Sequence, residues 1–243
     1  MAGTKTTFAD VICNHAMVEI SDIRLQTDLS ISAARFFRKM ALYMFNAIPR
    51  FTRPPEARGW LKYTAPQYTD YDYTVPDDYT EGDIEISTGI TGFEMASVIL
   101  VRPDGYGGTE YVPVRSASYN AETGNITVPE GAANAGDHLA VDFYTDGYFD
   151  RELGYDMKSI LGMLVQYEWE RRFSNDYLLQ QPKIKDRSFD VGSEASHMRA
   201  ATERMKFLSE RINQRLKAFE QNVAYQNVVL ENSNSIQYQP ENT

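Results

Sequence analysis

The sequence predicts an α+β fold: a helical bundle domain made from both ends of the chain, with an antiparallel β-sandwich or barrel-like domain inserted between them. Three observations carry this. Apolar residues recur at helical spacing up to Ile48 and again from Leu153, whereas between Trp60 and Asp150 they alternate with period two. Glycine, proline and Asx residues flank each alternating run, as hairpins require. The longest unbroken apolar rhythm, from Ser193 to Tyr225, sets Met198, Met205, Ile212 and Phe219 at intervals of seven, with Ala201, Leu208, Leu216 and Val223 between them. The boundaries follow: 1–58 for the N-terminal helices, 59–149 for the inserted β domain, 150–225 for the C-terminal helices and 226–243 for an extended tail.

Taken in order, Phe8 to Ile20 places Phe8, Val11, Ile12, His15, Ala16 and Glu19 on one side of a helix. After the polar Ser21-Asp22 break, Ser30 or Ser32 can cap a stronger helix with Ala33, Phe37, Met40, Ala41, Met44 and Ile48 in its stripe. Pro49 ends it, and Arg50 to Arg58 reads as a proline-stiffened linker. Strands are expected at Asp70–Val75, Asp83–Ser87, Met95–Arg102, Thr109–Arg115, Asn125–Val128 and His138–Thr145. In the last of these Leu139, Val141 and Phe143 alternate with His138, Asp142 and Tyr144, which predicts one buried and one wet face. Leu153, Met157, Ile160, Leu161, Leu164 and Trp169 mark a further helix ending near Arg172. A polar loop leads through Gln181-Pro182 to Gly192, and Ser193 is the expected cap of the long helix. The spacing slips from Ala201 and Leu208 to Leu216 and Val223, as a straight helix packed on neighbours shows. At about 1.5 Å per residue this helix is roughly 50 Å long, more than one small partner can cover.

Composition narrows the function. The hydrophobic fraction is 42%, and no window approaches the roughly 18 uninterrupted apolar residues of a membrane span, so no membrane partner is expected. Met1 to Asp10 lacks the layout of a secretory signal, and the single cysteine, Cys13, leaves no internal disulfide. Residues 61–150 hold 16 acidic and 3 basic side chains, a charge of −13, while the rest of the chain carries +3. The acidic middle repels phosphate and is a poor nucleic-acid binder.

No cofactor, metal or catalytic site is expected. Cys13 and His15 point about 200° apart on a helix, and neither His138 nor His197 has a second ligand at metal spacing. Asp70-Tyr71-Asp72-Tyr73-Thr74 with Glu81 mimics a calcium loop, but Val75 replaces the required glycine and Pro76 follows it. Looser calcium binding by Asp77, Asp78, Glu81 and Asp83 is the weaker alternative. Trp60, Tyr63, Tyr68, Tyr71, Tyr73 and Tyr79 crowd rings ahead of the strands; exposed rings of this kind stack on sugars, though strand tyrosines more often finish a core. A carbohydrate-binding or adhesion module is therefore the rival function. The Met198, Met205, Leu208, Ile212, Leu216 and Phe219 stripe is either core or a subunit interface. The tail, rich in Asn and Gln, carries Val228, Val229, Leu230, Ile236 and Tyr238 as candidate docking residues for a partner.

Ser32-Ala33-Ala34-Arg35-Phe36-Phe37 through Asn46-Ala47-Ile48, the Leu153–Arg172 helix just after Asp146-Gly147-Tyr148-Phe149, and the Met198–Val223 helix with its tail form a resemblance over roughly 60% of the chain. In helix order and apolar phase the chain resembles tailed-bacteriophage neck proteins, the head-to-tail connector or adaptor proteins beneath the portal; the β module is larger than in the smaller members. The resemblance implies a virion protein without catalysis, assembled in the host cytoplasm. It implies a homo-oligomeric ring of about twelve copies, contacts to the portal and to the next neck or tail protein, and DNA passing non-specifically through the channel.

Overall fold

A computed structural model of the chain describes residues 5–20, 23–180 and 191–236. Thr7 opens α1 (Phe8–Val11) by accepting the Asp10 N–H, and the chain then widens into a π-helical turn at Ile12–Ala16. The single helix expected to Ile20 is thus two pieces. The π turn packs where Gly162 leaves room: a Cβ there would sit 2.6 Å from the Cβ of His15 and 2.7 Å from its carbonyl carbon. A short helix the apolar pattern did not announce, α2 (Ile23–Ile31), leads to α3 (Ala33–Ala47). Ser32 is the α3 cap, its Oγ accepting the Arg35 N–H at 3.1 Å, and the helix gives way at Ile48–Arg50 to a tighter 3₁₀ turn containing Pro49. The segment expected as a linker instead folds inward. Phe51 and Ala57 are completely buried, and Ala57–Trp60 forms α4.

The middle of the chain is antiparallel throughout. β1 (Tyr63–Thr64) pairs with β9 (Tyr148–Phe149). A four-stranded sheet takes the order β2 (Gln67–Thr74), β8 (His138–Thr145), β4 (Met95–Pro103), β5 (Thr109–Pro113), and a three-stranded one the order β3 (Ile84–Ser87), β7 (Asn125–Val128), β6 (Ser118–Asn120). The two sheets share a core in which Leu139, Val141 and Phe143 from one meet Ile84, Ile86, Ile126 and Val128 from the other. Among the described residues neither sheet closes into a barrel, and the fold is mixed α+β with six α-helices.

Entry and exit of the β region run side by side. Thr7 bridges Tyr148, the Phe8 N–H donates to the Gly147 carbonyl, the Phe149 N–H to that of Thr6, and the Asp150 N–H to that of Lys62. Phe8 anchors this crossing with ring contacts of 5.2 to 5.9 Å to Phe149, Tyr63 and Phe45. The N-terminus therefore staples the point where the chain leaves and re-enters the helices.

Two helices complete the molecule: α5 (Tyr155–Gln180) and α6 (Val191–Ile236). Ile160, Leu161, Met163, Leu164 and Val165 are all buried, so these middle turns of α5 are enclosed among α3, α6 and the π turn, as a stretch apolar all round must be. Burying each such side chain contributes roughly 1.5–3 kcal/mol. Since α6 begins at Val191, Ser193 lies inside the helix and is not its cap. The helix also continues to Ile236, past the expected end at Tyr225. No proline or glycine interrupts 226–236, so the Asn- and Gln-rich segment meets no helix breaker before Pro240.

Candidate interaction surface

α6 is the element whose exposure stands out. Its 46 residues span about 69 Å at 1.5 Å per residue, whereas a chain of this length folds to a body about 45 Å across. Among the described residues the buried contact with that body is short. Leu208, Ile212 and Leu216 are buried in the helical core, with Phe219 half-buried against Phe51 and Trp60 at ring distances of 5.9 and 6.4 Å. These side chains cover about three turns. Ion pairs fix the same stretch: Arg204 to Glu170 at 3.0 Å, Arg211 to Glu19 at 3.7 Å and Arg53 to Glu220 at 3.3 Å.

Of the predicted interface residues, Leu208, Ile212 and Leu216 thus belong to the subunit's own core and have no surface left for a neighbour. Met205 and Phe219 are half-buried at its margin, and the Met198 side chain lies outside the described residues. Val228, Val229, Leu230 and Ile236 sit on a continuous helical backbone, which replaces the extended tail; their side chains, and Tyr238 altogether, lie outside the described residues.

A different face of α6 is open. Phe207 is 66% exposed and Tyr225 72%. They are 18 residues apart, five whole turns, so they stand on one face, with Ala200 and Ala218 within about 20° of the same line. This face lies about 140° from Ile212. The 18-residue spacing was readable in the sequence; the buried stripe, being more regular, masked it.

The other sequence candidates are drawn into internal contacts. Tyr68 donates to Asp142 at 2.7 Å, with the Arg38 guanidinium 3.9 Å over its ring, and burial together with that hydrogen bond raises its phenol pKa. Tyr79 donates to the Gly82 carbonyl, and Tyr71 and Tyr73 pack partly buried against the sheet core. These four rings are held by contacts within the subunit; Trp60 is partly buried and Tyr63 is 39% exposed. Asp70 and Asp72 of the calcium mimic are extended in β2, opposite Asp142 and Ala140, and a strand does not wrap an ion. Among the described residues no group of three His, Cys, Asp or Glu side chains is placed to hold a metal. Cys13 is exposed; desolvation and the Asp146 and Asp10 carboxylates raise its thiol pKa, opposite to a reactive thiolate's needs. His15 lies edge-on to Tyr155 at 5.4 Å, and His138 is 3.3 Å from Asp72.

Two polar junctions escaped the pattern. Asp142, 1% exposed, accepts from Ser32 at 2.9 Å and Tyr68 at 2.7 Å and receives the Arg35 fork, Nε and Nη2 each at 3.2 Å. With Tyr144 stacked on Phe37 at 5.7 Å, it turns the expected wet face of β8 into a surface covered by α3. Asp146 accepts the Ala9 N–H and the Tyr144 hydroxyl, both at 2.9 Å. Burial raises the Asp146 pKa against these bonds, and burial with the neighbouring Asp146 charge raises that of Tyr144. In α5, Glu168 is buried between Arg50 and Arg171. A cleft of about 290 Å³ between the α2–α3 corner and strands β4, β5 and β6 has Arg115 as its one charged wall and holds no acid–base pair.

Among the described residues no helix is long and apolar enough to cross a membrane. No protein-family model, curated protein or solved structure matches the chain.

Proposed function

We propose that the chain is a structural subunit of a tailed-bacteriophage neck, a head-to-tail connector whose copies form a ring of about a dozen beneath the portal, with DNA passing through its channel. In this reading the helices form a bundle into which the two sheets are inserted as a β-sandwich, decorating the ring or reaching the next one. Portal and tail or neck proteins are its partners, and the virion its location. No residue is assigned a catalytic role.

One observation carries the reading: α6 is a helix of 46 residues whose described buried side chains, Leu208, Ile212 and Leu216, lie within about three turns, and which is open on the Phe207–Tyr225 face. Helix exposed to that extent gains little stability from its own subunit. Covering it is work for other chains. The narrow anchorage and the resemblance in helix order point the same way.

Light scattering on the purified protein over a wide concentration range, with electron microscopy of the same sample, tests this. Closed rings of uniform mass are expected, alone or on addition of the portal. A strict monomer under both conditions contradicts it.

A further inference from the structure

One edge of strand β4 is only partly used. β8 pairs with it from Met95 to Val101, whereas β5 pairs only from Ile99 onward. One more bond follows, from the Val114 N–H to the Val98 carbonyl at 2.8 Å, and the chain then turns away as the Ala117 N–H donates to Val114. In an antiparallel strand each residue directs both of its backbone groups to one side, and alternate residues share that side. Both backbone groups of Ala96 and the N–H of Val98 therefore face the gap that β5 has left. Among the described residues none of the three has a hydrogen-bond partner.

This edge is one wall of the cleft of about 290 Å³ beside the α2–α3 corner. Ala96 is half-buried in it, and Ala33, Ala117 and Ser118 are short side chains that let a main chain approach. Two donors and an acceptor at strand spacing are answered together by an extended backbone, the mode of strand addition. Arg115, the one charged wall, is exposed and has no ion pair among the described residues. We propose, resting on the ring reading above, that this edge takes residues 237–243 of the next copy as an added strand, with Glu241 against Arg115.

Three features fit that segment, which lies outside the described residues, to the cleft. Glu241 is its only charged side chain, as Arg115 is the cleft's. Pro240 does not suit a helix interior and biases the residue before it toward extended backbone; having no N–H, it leaves the ladder bonds to 241–243. Finally, α6 carries the segment away from its own body. Val223 is the last half-buried side chain described, 224–227 are all exposed, and the helix backbone runs on to Ile236, about 20 Å further. The remaining seven residues reach about 24 Å when extended. Tail against edge joins two different patches, so the contact is heterologous and passes from copy to copy, as a closed ring of more than two requires.

Disulfide trapping on the full chain, in a Cys13→Ser background, tests this. One chain carries Ser118→Cys at the cleft, a second carries Asn242→Cys, and a third carries both changes. Mixed under oxidised glutathione, the first two should join as a covalent pair at least tenfold faster than when Tyr106→Cys, 97% exposed on the β4–β5 hairpin, replaces Ser118→Cys. Arg115→Glu should slow the joining at least tenfold, and Glu241→Arg on the other chain should restore it. If Arg115→Glu melts early, Arg115→Gln replaces it. A synthetic peptide of residues 237–243 should compete, and at least tenfold more should be needed when it carries Glu241→Gln. Closed rings in which Ser118→Cys joins no faster than Tyr106→Cys would overturn this contact and leave the neck reading standing. Joining confined to within the chain that carries both changes would place the segment on its own cleft and equally overturn it. Joining at the cleft in particles that never close would keep the contact and overturn the ring. Wild type that stays monomeric with and without portal, with no joining at either site, removes both.

Discussion

α5 and α6 are both long helices of one core, and they are used in opposite ways. α5 is enclosed: five of the six residues from Ile160 to Val165 are large, apolar and buried, and the sixth, Gly162, lets the π turn come within touching distance of the helix backbone. α6 is leaned on: among its described residues three buried side chains, Leu208, Ile212 and Leu216, hold a helix whose backbone extends well beyond them. A helical stretch apolar on all sides is fixed by its own subunit, whereas one with a narrow stripe has length left over for other work. The same contrast separates the polar groups. Glu168 of α5 is sealed between two arginines, while the ion pairs of α6 lie at its partly exposed margin.

The largest effect expected from this comparison is that of Ile212→Asp. It places an unpaired charge in the α5–α6 contact, at a cost of about 3–5 kcal/mol. Chemical denaturation should show that loss in the monomer itself; a normal midpoint with assembly alone abolished would return Ile212 to the interface. Next comes Leu161→Ala, which empties the enclosed helix and should cost about 2–5 kcal/mol, measured in the same way. Gly162→Ala should cost about 1–3 kcal/mol by overpacking, because a methyl group there meets backbone rather than a flexible side-chain tip. An unchanged midpoint would mean that the π turn moves away freely.

Smaller effects concern the polar junctions. Asp142→Asn keeps the shape, removes the charge that Arg35 answers, and should cost about 1.5–3 kcal/mol. Asp146 has a pKa raised by burial, so the folded state binds its proton more tightly than the unfolded one. Its contribution to stability is complete below the ordinary carboxylate value near 3.8 and is lost as pH rises through the higher folded value. Melting temperatures of wild type and Asp146→Asn across that window should differ in slope, the variant falling less. Parallel curves would contradict it.

The mixed α+β class and most of the antiparallel strands were readable because their signals are local. The change of period at Trp60, the Ser32 cap, Pro49 and the turn glycines each act within a few residues, and most strand ends fell within two or three positions of those observed. What escaped depends on distant partners. β1 and β9 are two-residue strands that exist because Thr7 and Phe8 lie against them. Phe51 looked like part of a linker because only the packing of Phe219 onto it reveals a core residue. Asp142 looked solvent-facing because an alternating strand does not announce the helix that will cover its second face. The stripe of α6 was legible, but its division into three core residues and a loose remainder was not. That division depends on where α5 ends and on how far a helix without breakers runs on.

Hydrogen exchange along α6, measured on dilute monomer and again on concentrated or portal-bound protein, tests the central claim most directly. Expected is strong protection over 205–219 in both samples, and fast exchange at 220–236 in the monomer that slows on assembly. Uniform protection along the whole helix in the monomer would contradict the claim, and so would outer turns that gain nothing on assembly.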